Sequence, residues 1–453
     1  MQPSATSERV MTKREAGLEV APLPDGLRLR AATVADRDAI ADLVEAVLPH
    51  PGVPLGQRTW ALDLLSGDHP CVGAGDFSVV EESATGRLVS CMTCIWQRWS
   101  YGGISLPMGL PEVVVTLPEF RRRGLVRAQL DWMHRRGDER GVMFQAIDGI
   151  LNFYRQFGYE PALALKGYRS GYATTLPSLD DETRARYTIR RAVEADAPFL
   201  ASVYAHSLGR GMMGGERDER VWRYDLVGRS PGSSVRLEIL VVEEHGQPIG
   251  VVAHEPHLDE AQLRVFLYEL KPGTSWLWPS RVVMRHLWET GTRYAEEAGL
   301  PGLAACEYYL GDGHPLFSIY GDELPSSFPP IAWYVRVPNL ANLVRAIAPV
   351  LEERLAGSVL TGHTGELRLG FYDGGLYLRF DAGRIVEVSP WTPTEEPPAS
   401  ALFPDRTFLH LLFGHRSVAE LRHAFADCWT WGKSDVLLDI LFPKTPSNVL
   451  PIV

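Results

Sequence analysis

Apolar residues recur along this chain with two different periods, and the switches between them mark out its elements. In Leu29-Arg-Ala-Ala-Thr-Val-Ala-Asp36 a strand-like run gives way to a polar turn, and Ile40, Leu43, Val44 and Val47 then return every three or four positions, the spacing of one helix face. The same succession comes again at an offset of 160: Ile189-Arg-Arg-Ala-Val-Glu-Ala-Asp196, followed by Phe199, Leu200, Val203 and Tyr204. Farther along, Ser78-Val-Val-Glu-Glu82 and Gly86-Arg-Leu-Val-Ser90 match Leu240-Val-Val-Glu-Glu244 and Gly246-Gln-Pro-Ile-Gly250 at offsets of 162 and 160. Two matches in one order at nearly constant offset predict two copies of one fold, residues 27–180 and 187–335, joined by the polar, turn-rich stretch Thr174 to Arg186. Each copy reads as a strand, a helix, a two-stranded hairpin with glycine in its turn, and a strand leading into a helix, which is a mixed α/β pattern.

From Val337 the texture changes. A helical stretch, Leu340 to Leu355, precedes alternating strands at Glu366–Tyr372, Leu376–Phe380 and Ile385–Val388, the first two joined by the hairpin signal Asp373-Gly-Gly375. A Pro/Thr/Glu-rich loop, Ser389 to Ser400, then leads to apolar helical patterns around Phe408–Phe413 and Val436–Phe442. Residues 336–453 are therefore expected to form a third, α+β domain. At the other end, residues 1–26 are polar, lack the apolar core of a secretory signal, and read as a mobile arm.

Bulk properties narrow the setting. At 453 residues the chain exceeds one ordinary core, and 45% hydrophobic with 22% charged residues is the balance of a soluble globular protein. Five scattered cysteines fit a reducing compartment, so the cytoplasm is the expected location. Cys91 and Cys94 lie in a strand-like run, Leu88 to Trp96, where residues three apart face opposite sides and cannot grip one metal. A net charge of −11 argues against nucleic acid and anionic membrane as partners and favours a cationic one. No metal is called for, and the chain is compatible with a homo-oligomer.

The stretch that carries chemistry is Pro111-Glu-Val-Val-Val-Thr-Leu-Pro-Glu-Phe-Arg-Arg-Arg-Gly-Leu-Val-Arg127. A β-branched run stops at Pro118, and Gly124 opens a helix whose apolar positions are Val126, Leu130 and Met133. A helix start presents unpaired backbone N–H groups and the positive end of the macrodipole, and a glycine there keeps side-chain bulk away from a phosphate. Arg121, Arg122, Arg123 and Arg127 add positive charge in an otherwise acidic chain, which suits a polyphosphorylated ligand. An isolated Arg-x-x-Gly would equally describe a solvated helix end with a turn glycine.

In its order and spacing, Val114-x-Thr116-x-Pro118-x-x-Arg121-x-x-Gly124-x-Val126 resembles the acetyl-CoA loop of GNAT acetyltransferases. Two positions depart: Thr116 stands for a Val, and Val126 for a Gly or Ala. The enhanced-intracellular-survival branch resembles this chain more closely, since it carries an Arg-Arg-Arg-Gly-Leu-Leu-Arg version of residues 121–127. That branch has two tandem GNAT folds and a sterol-carrier-like C-terminal domain, so the resemblance implies that 27–180 is the acetyl-CoA-binding catalytic domain, 187–335 a degenerate GNAT-like copy, and 336–453 sterol-carrier-like. The second copy, Leu263-Arg-Val-Phe-Leu-Tyr-Glu-Leu-Lys-Pro-Gly-Thr-Ser275, lacks the Arg-x-x-Gly placement.

What the resemblance implies for the site is specific. Val114, Val115 and Thr116 lend backbone N–H groups to the pantetheine, and Arg121, Arg122, Arg123, Gly124, Leu125, Val126 and Arg127 hold the phosphates. Asn152-Phe-Tyr-Arg-Gln-Phe-Gly-Tyr-Glu160 is similar to the family's Tyr-x-x-Phe-Gly-Tyr segment, which makes Tyr154 the candidate general acid; without that match it reads as a core aromatic. An acceptor amine attacks acetyl-CoA directly in this family and must first lose a proton. In the related branch the terminal carboxylate reaches the active site, here that of Val453, while Glu112 and Asp148 are the other candidate bases, each equally explicable as a surface ion pair. His50, Arg58 and Trp60 lie in a loop that could touch the acceptor, an aminoglycoside, a polyamine or a lysine-like amine. The rival reading from another class is a non-catalytic acyl-CoA-binding sensor or scaffold, and a lipid carrier resting on the C-terminal domain is a third.

Overall fold

A computed structural model describes residues 21–50, 52–393 and 398–453. They fall into two compact units: residues through Ile95 with Pro111–Arg136 and Gly232–Ser234, and Trp96–Leu110, Gly137–Pro231 and Val235–Val453. Among the described residues no helix is long and apolar enough to cross a membrane.

The first unit runs β1 (Ala21–Leu23), β2 (Leu27–Ala31), α1 (Arg37–Val47), α2 (Gly56–Leu64), β3 (Phe77–Glu82), the first part of β4 (Leu88–Tyr101), the last part of β5 (Ile104–Thr116), and α3 (Leu125–Glu139). The strands up to β4 pair antiparallel in chain order, with Leu29 opposite Val80 and Val79 opposite Cys91. Ala21 pairs with Leu29, so the stretch read as an arm up to Gly26 already ends in a hairpin; its residues 1–20 lie outside the described ones. The strand carrying Cys91 and Cys94 is longer than the run read from the sequence, and both thiols are fully buried. Ile40, Ala41, Leu43 and Val44 bury the inner face of α1. Its start is fixed by Asp36, which accepts from the Thr33 N–H at 2.7 Å and from both ends of the Arg30 guanidinium at 2.7 and 2.8 Å. The bond from Arg30 is the largest cause holding the Asp36 carboxyl down at about 2.

In the second unit the elements are β6 (Phe144–Ile147), β7 (Glu160–Leu165), β8 (Tyr168–Gly171), α4 (Asp181–Arg186), β9 (Tyr187–Arg191), α5 (Ala197–Ser207), β10 (Met213–Gly215), α6 (Glu219–Arg223), β11 (Glu238–Glu244), β12 (Gln247–His254), β13 (Gln262–Leu270), α7 (Leu277–Glu297), β14 (Ala305–Tyr308), α8 (Pro315–Ile319), β15 (Ser326–Phe328) and β16 (Ile331–Arg336). The duplication is visible in chemistry as well as order. Arg190 forks onto Asp196 at 2.7 and 2.9 Å and reaches Glu243 at 2.7 Å, while Val193 N–H caps onto Asp196 at 2.8 Å. These are the counterparts of Arg30, Asp36, Glu81 and Thr33.

One seven-stranded sheet has the order β15-β8-β14-β13-β12-β11-β9. Alternation along β11 sends Ile239 and Val241 to one face, against Leu200, Val203 and Trp222, and Leu240 and Val242 to the other, against Val283 and Leu287. The sheet is thus filled from both sides by α5 and α7. The two copies also exchange strands. β8, from the first stretch of sequence, lies between β14 and β15; β16, from the second, lies between β6 and β7, with Tyr334 opposite Ile147 and Trp333 opposite Leu163.

The remaining elements are α9 (Leu340–Ala356), β17 (Gly365–Phe371), β18 (Gly374–Asp381), β19 (Arg384–Trp391), β20 (Ala401–Leu402), α10 (Phe408–Leu412), α11 (Val418–Ala424), β21 (Trp429–Thr430) and α12 (Ser434–Leu441). Their five-stranded sheet, β19-β18-β17-β20-β21, includes the expected hairpin, with Phe371 opposite Gly374. β19 extends through Trp391, three residues into the stretch read as a loop, of which residues 394–397 lie outside the described ones. The architecture is mixed α/β throughout, as the periodicities require.

Candidate functional site

Within the first unit, the segment that the sequence singles out is a strand, a loop and a helix start. β5 is interrupted near its end by Val113 at a φ of 56°, a left-handed conformation that a β-branched residue rarely takes and that marks a bulge. Val113, Val115 and Thr116 are buried, and Val114 is half-buried. After a 3-10 turn at Pro118–Phe120, Arg121 Nε donates back to the Thr116 carbonyl at 3.3 Å. Arg122 stands at a φ of 62°. Arg123 donates to the Glu119 carbonyl at 3.1 Å, lies over the Phe120 ring at 5.0 Å, and approaches Asp25 at 3.6 Å.

Gly124 has a φ of 77°, and a Cβ placed on it would meet nothing within 4 Å, so the start of α3 faces open space. Leu125 is buried in the unit, Val126 is half-buried, and the side chains of Arg121, Arg122, Arg123 and Arg127 are exposed around that opening. An exposed helix N-terminus with a glycine at its mouth and arginines on its rim is chemically suited to a pyrophosphate.

The sequence did not reveal what pins this helix. Ser90 and Gln129 are wholly buried. Ser90 Oγ lies 2.8 Å from the Val115 carbonyl, 2.8 Å from Thr116 Oγ1 and 2.7 Å from Gln129 Oε1, while Gln129 Nε2 donates to the Ser78 carbonyl at 3.1 Å. One side-chain amide on α3 therefore ties β3, β4 and β5 to the helix just past its start. A glutamine in a helix reads as surface, so only the strand-facing position of Gln129, four residues after Leu125, hinted at this.

In the second unit, Tyr154 opens a 3-10 turn, Tyr154–Phe157, closed by Gly158 at a φ of 88°. Its ring is 4% exposed and packs against Phe153 at 5.1 Å, Tyr334 at 6.0 Å and Tyr159 at 6.1 Å between centroids. A Cβ on Gly149 would come within 2.4 Å of this ring, so that glycine makes room for it. Tyr334, from the exchanged β16, also accepts from the Asn152 N–H at 2.7 Å and thereby holds the turn from outside the first copy.

The tail is docked along its length. Met212 N–H donates to the Pro446 carbonyl at 3.0 Å, Met213 N–H to Ser447 Oγ at 3.2 Å, and an oxygen of Val453 accepts from Arg229 Nη2 at 2.6 Å. Of the other candidates, Asp148 is ion-paired with Lys166, and Glu112 is half-buried in β5. Arg58 pairs with Asp42 at 2.7 Å and Asp38 at 3.2 Å, Trp60 is buried, and His50 Nδ1 accepts from the Gly52 N–H at 3.2 Å. The structure thus gathers the loop arginines and Gly124 in the first unit. Tyr154 and Val453 belong to the second, Tyr154 among aromatic rings and Val453 on an arginine.

The second copy repeats the scaffold with different residues at these two places. Between β13 and α7 the connection Lys271-Pro-Gly-Thr-Ser-Trp276 offers no arginine, and Phe317-Ser-Ile-Tyr320-Gly321 puts Phe317 where the first copy has Tyr154 in Tyr154-Arg-Gln-Phe157-Gly158. Among the described residues no group of three His, Cys, Asp or Glu side chains could hold a metal ion.

Residues 28–162 match the family model described as the acetyltransferase (GNAT) domain. No protein with a curated description matches the chain. Solved structures share its fold over nearly its whole length. An Enterococcus faecalis protein described as "Probable N-Acyltransferase" is 15% identical with a TM-score of 0.66, covering 93% of this chain and 98% of its own. A GCN5-related N-acetyltransferase from Kribbella flavida is 19% identical with a TM-score of 0.61, covering 94% and 98%. Eis1 from Mycobacterium abscessus is 14% identical with a TM-score of 0.58, covering 94% and 99%. With the glycine-opened helix, its arginine rim and this match together, residues 28–162 are identified as a GNAT acetyltransferase domain.

Proposed function

We propose that the protein transfers the acetyl group of acetyl-CoA to a primary amine of a cationic acceptor, of aminoglycoside, polyamine or lysine-like type. The observation that carries the reading is the start of α3. Gly124 leaves the helix mouth open, and the exposed arginines Arg121, Arg122, Arg123 and Arg127 surround it. Acetyl-CoA, when bound, supplies the acyl group already activated as a thioester.

The chain's own residues then divide the work. Arg121, Arg122, Arg123 and Arg127, with the N–H groups from Gly124 to Val126, bind phosphate oxygens. Backbone N–H groups of Val114 to Thr116 orient the pantetheine arm, which the bulge at Val113 frees from regular strand geometry. Tyr154 Oη gives its proton to the departing sulfur, and its packed ring holds that hydroxyl in one orientation. The Val453 carboxylate attracts and orients the ammonium acceptor. An amine of pKa about 10.4 is charged at neutral pH and costs roughly 4–5 kcal/mol to deprotonate, so an anion beside it serves both affinity and proton removal. The net charge of −11 favours such acceptors over anionic ones.

A transfer assay that follows free thiol with a panel of amines tests this. Acceptor-dependent thiol release supports transfer. Acetyl-CoA binding with no release over any amine supports instead a sensor or scaffold.

A further inference from the structure

Under the second half of α7 the packing of helix on sheet changes character. Val282, Val283 and Leu287 are buried against the sheet, as a helix in a layered α/β unit requires. His286, Thr290, Arg293 and Tyr294 follow at helical spacing, and here the helix turns polar groups to the sheet. Opposite them, Glu238 of β11 lies directly across from His254 of β12, and Arg191 of β9 reaches Glu238 at 2.6 Å. Between the two polar rows is a cavity of about 180 Å³. A void of roughly 150 Å³ already accommodates a benzene ring.

The first copy uses bulkier or less polar side chains at the equivalent positions. An offset of 154 carries Leu117 onto Lys271, whose N–H groups donate to the Val89 and Ile249 carbonyls at 2.9 and 2.8 Å, and it carries Trp132 onto His286. The offset of 160 along the neighbouring strand carries Cys94 onto His254. Trp132 and Cys94 are buried, and the Arg136 guanidinium lies over the Trp132 ring at 4.7 Å. Where the first copy has an indole and a thiol, the second sets two imidazoles beside a void.

His254 is 2% exposed. Its Nδ1 donates to the Glu255 carbonyl at 2.6 Å, which fixes the tautomer and makes Nε2 an acceptor without a partner among the described residues. Burial pushes this imidazole down to about 4 and lowers that of His286 as well, so both are neutral at pH 7. The charges at the walls are matched: Arg190 is held by Asp196 and Glu243, Arg191 by Glu238, and Arg293 by Glu297 at 3.1 Å. A ligand with net charge would therefore enter without a counter-charge, which is costly in a partly buried site. What the walls offer is a mixture of acceptors, the imidazoles and the Glu238 carboxylate, with donors, the hydroxyls of Thr290 and Tyr294. A ligand hydroxyl both donates and accepts, and so answers each of them.

We infer that this cavity binds a neutral polyhydroxylated molecule of about the size of a monosaccharide, with His254 and His286 accepting from its hydroxyls and Thr290 and Tyr294 donating to them. The site belongs to the second copy, whose loop lacks the arginines of the acetyl-CoA site, and it is a function that the first copy does not duplicate.

The test uses the whole chain, isotope-labelled at its histidine ring nitrogens, with the His254 signals assigned by their loss in His254→Asn. The probes are glucose, myo-inositol and glycerol, with inorganic phosphate and methylammonium as charged controls. Glucose or myo-inositol is expected to shift the His254 Nε2 signal saturably in the millimolar range, glycerol more weakly, and the two ions not at all. His286→Trp, which installs the first copy's side chain in the cavity, is expected to weaken polyol binding about tenfold or more while the unfolding midpoint is kept or raised. Thr290→Val removes one hydroxyl without changing volume and is expected to weaken binding about three- to tenfold, the worth of one hydrogen bond, which covers the case in which the tryptophan variant does not fold. No shift with any polyol, a shift with phosphate or methylammonium in their place, or polyol binding that survives Thr290→Val and a folded His286→Trp overturns the site.

Discussion

Gln129 Oε1 lies 2.7 Å from Ser90 Oγ, with neither residue exposed, so the helix that begins after Gly124 is pinned to its sheet by one amide close to its start. Replacing Gln129 by Leu keeps the bulk but removes the bonds that the amide makes to the Ser90 hydroxyl and the Ser78 carbonyl. The expected loss is about 1–3 kcal/mol of unfolding free energy, the ordinary cost of buried polar groups left unpaired. Ser90→Ala removes the partner, so the double variant is expected to cost less than the two single ones added. Denaturant unfolding of the four proteins measures this, and additive losses would show that the two side chains do not act together.

The opening at Gly124 separates two kinds of damage. Because a Cβ there meets no atom within 4 Å, Gly124→Ala has only its φ of 77° to contend with, a strain of roughly 1–2 kcal/mol. Its expected effect is a modest fall in melting temperature and a weakened acetyl-CoA affinity. Gly124→Glu adds bulk and a negative charge at the phosphate position and is expected to abolish binding while the fold persists. Calorimetry is expected to find one site per chain, since only the first copy carries the arginines, and two equivalent sites would contradict the assignment.

Tyr154→Phe keeps every ring contact to Phe153, Tyr159 and Tyr334 and deletes only the hydroxyl. Acetyl-CoA affinity is therefore expected to stay within error, while turnover falls by about 10²–10⁴-fold, the usual effect of losing a general acid. A loss below tenfold in single-turnover measurements would remove Tyr154 from the chemistry.

Acid stability should report the Arg30–Asp36 pair. Its folded-state carboxyl, lowered to about 2 mainly by the bond from Arg30, contributes stability that is fully present above its unfolded value and lost as pH falls through about 2. Asp36→Asn lacks that contribution, so it is expected to melt lower than the native protein at pH 6 and to show a shallower decline between pH 4 and pH 2. Parallel curves would mean that the pair contributes nothing through its charge.

The duplication was legible because it repeats chemistry as well as hydrophobicity: Arg30 and Asp36 have their equivalents in Arg190 and Asp196, each pair six residues apart around a strand end. The loop before α3 was legible for the same reason, since proline, arginine and glycine constrain the backbone directly. Strand partners were not, because an alternating pattern says which side of a strand is buried and nothing about which neighbour lies beside it. Hence the positions of β8 and β16 were hidden, and with them the support that Tyr334 gives to Tyr154. Gln129 and Arg229 were hidden because burial inverts the usual meaning of a polar residue. Beyond the spacing of Gln129 from Leu125, local sequence carries no sign of that.

The place of β16 between β6 and β7 has a consequence in time. During synthesis β7 is finished at Leu165, but the strand that must lie between it and β6 does not begin until Ile331, about 170 residues later. At roughly 5–20 residues per second the ribosome needs on the order of ten to thirty seconds to cover that distance. Throughout this interval β6 and β7 present unpaired edges with no native partner yet made. The nascent chain must therefore leave the Tyr154 turn unfinished until most of the second copy has emerged, and the first copy cannot mature as an independent domain ahead of the second.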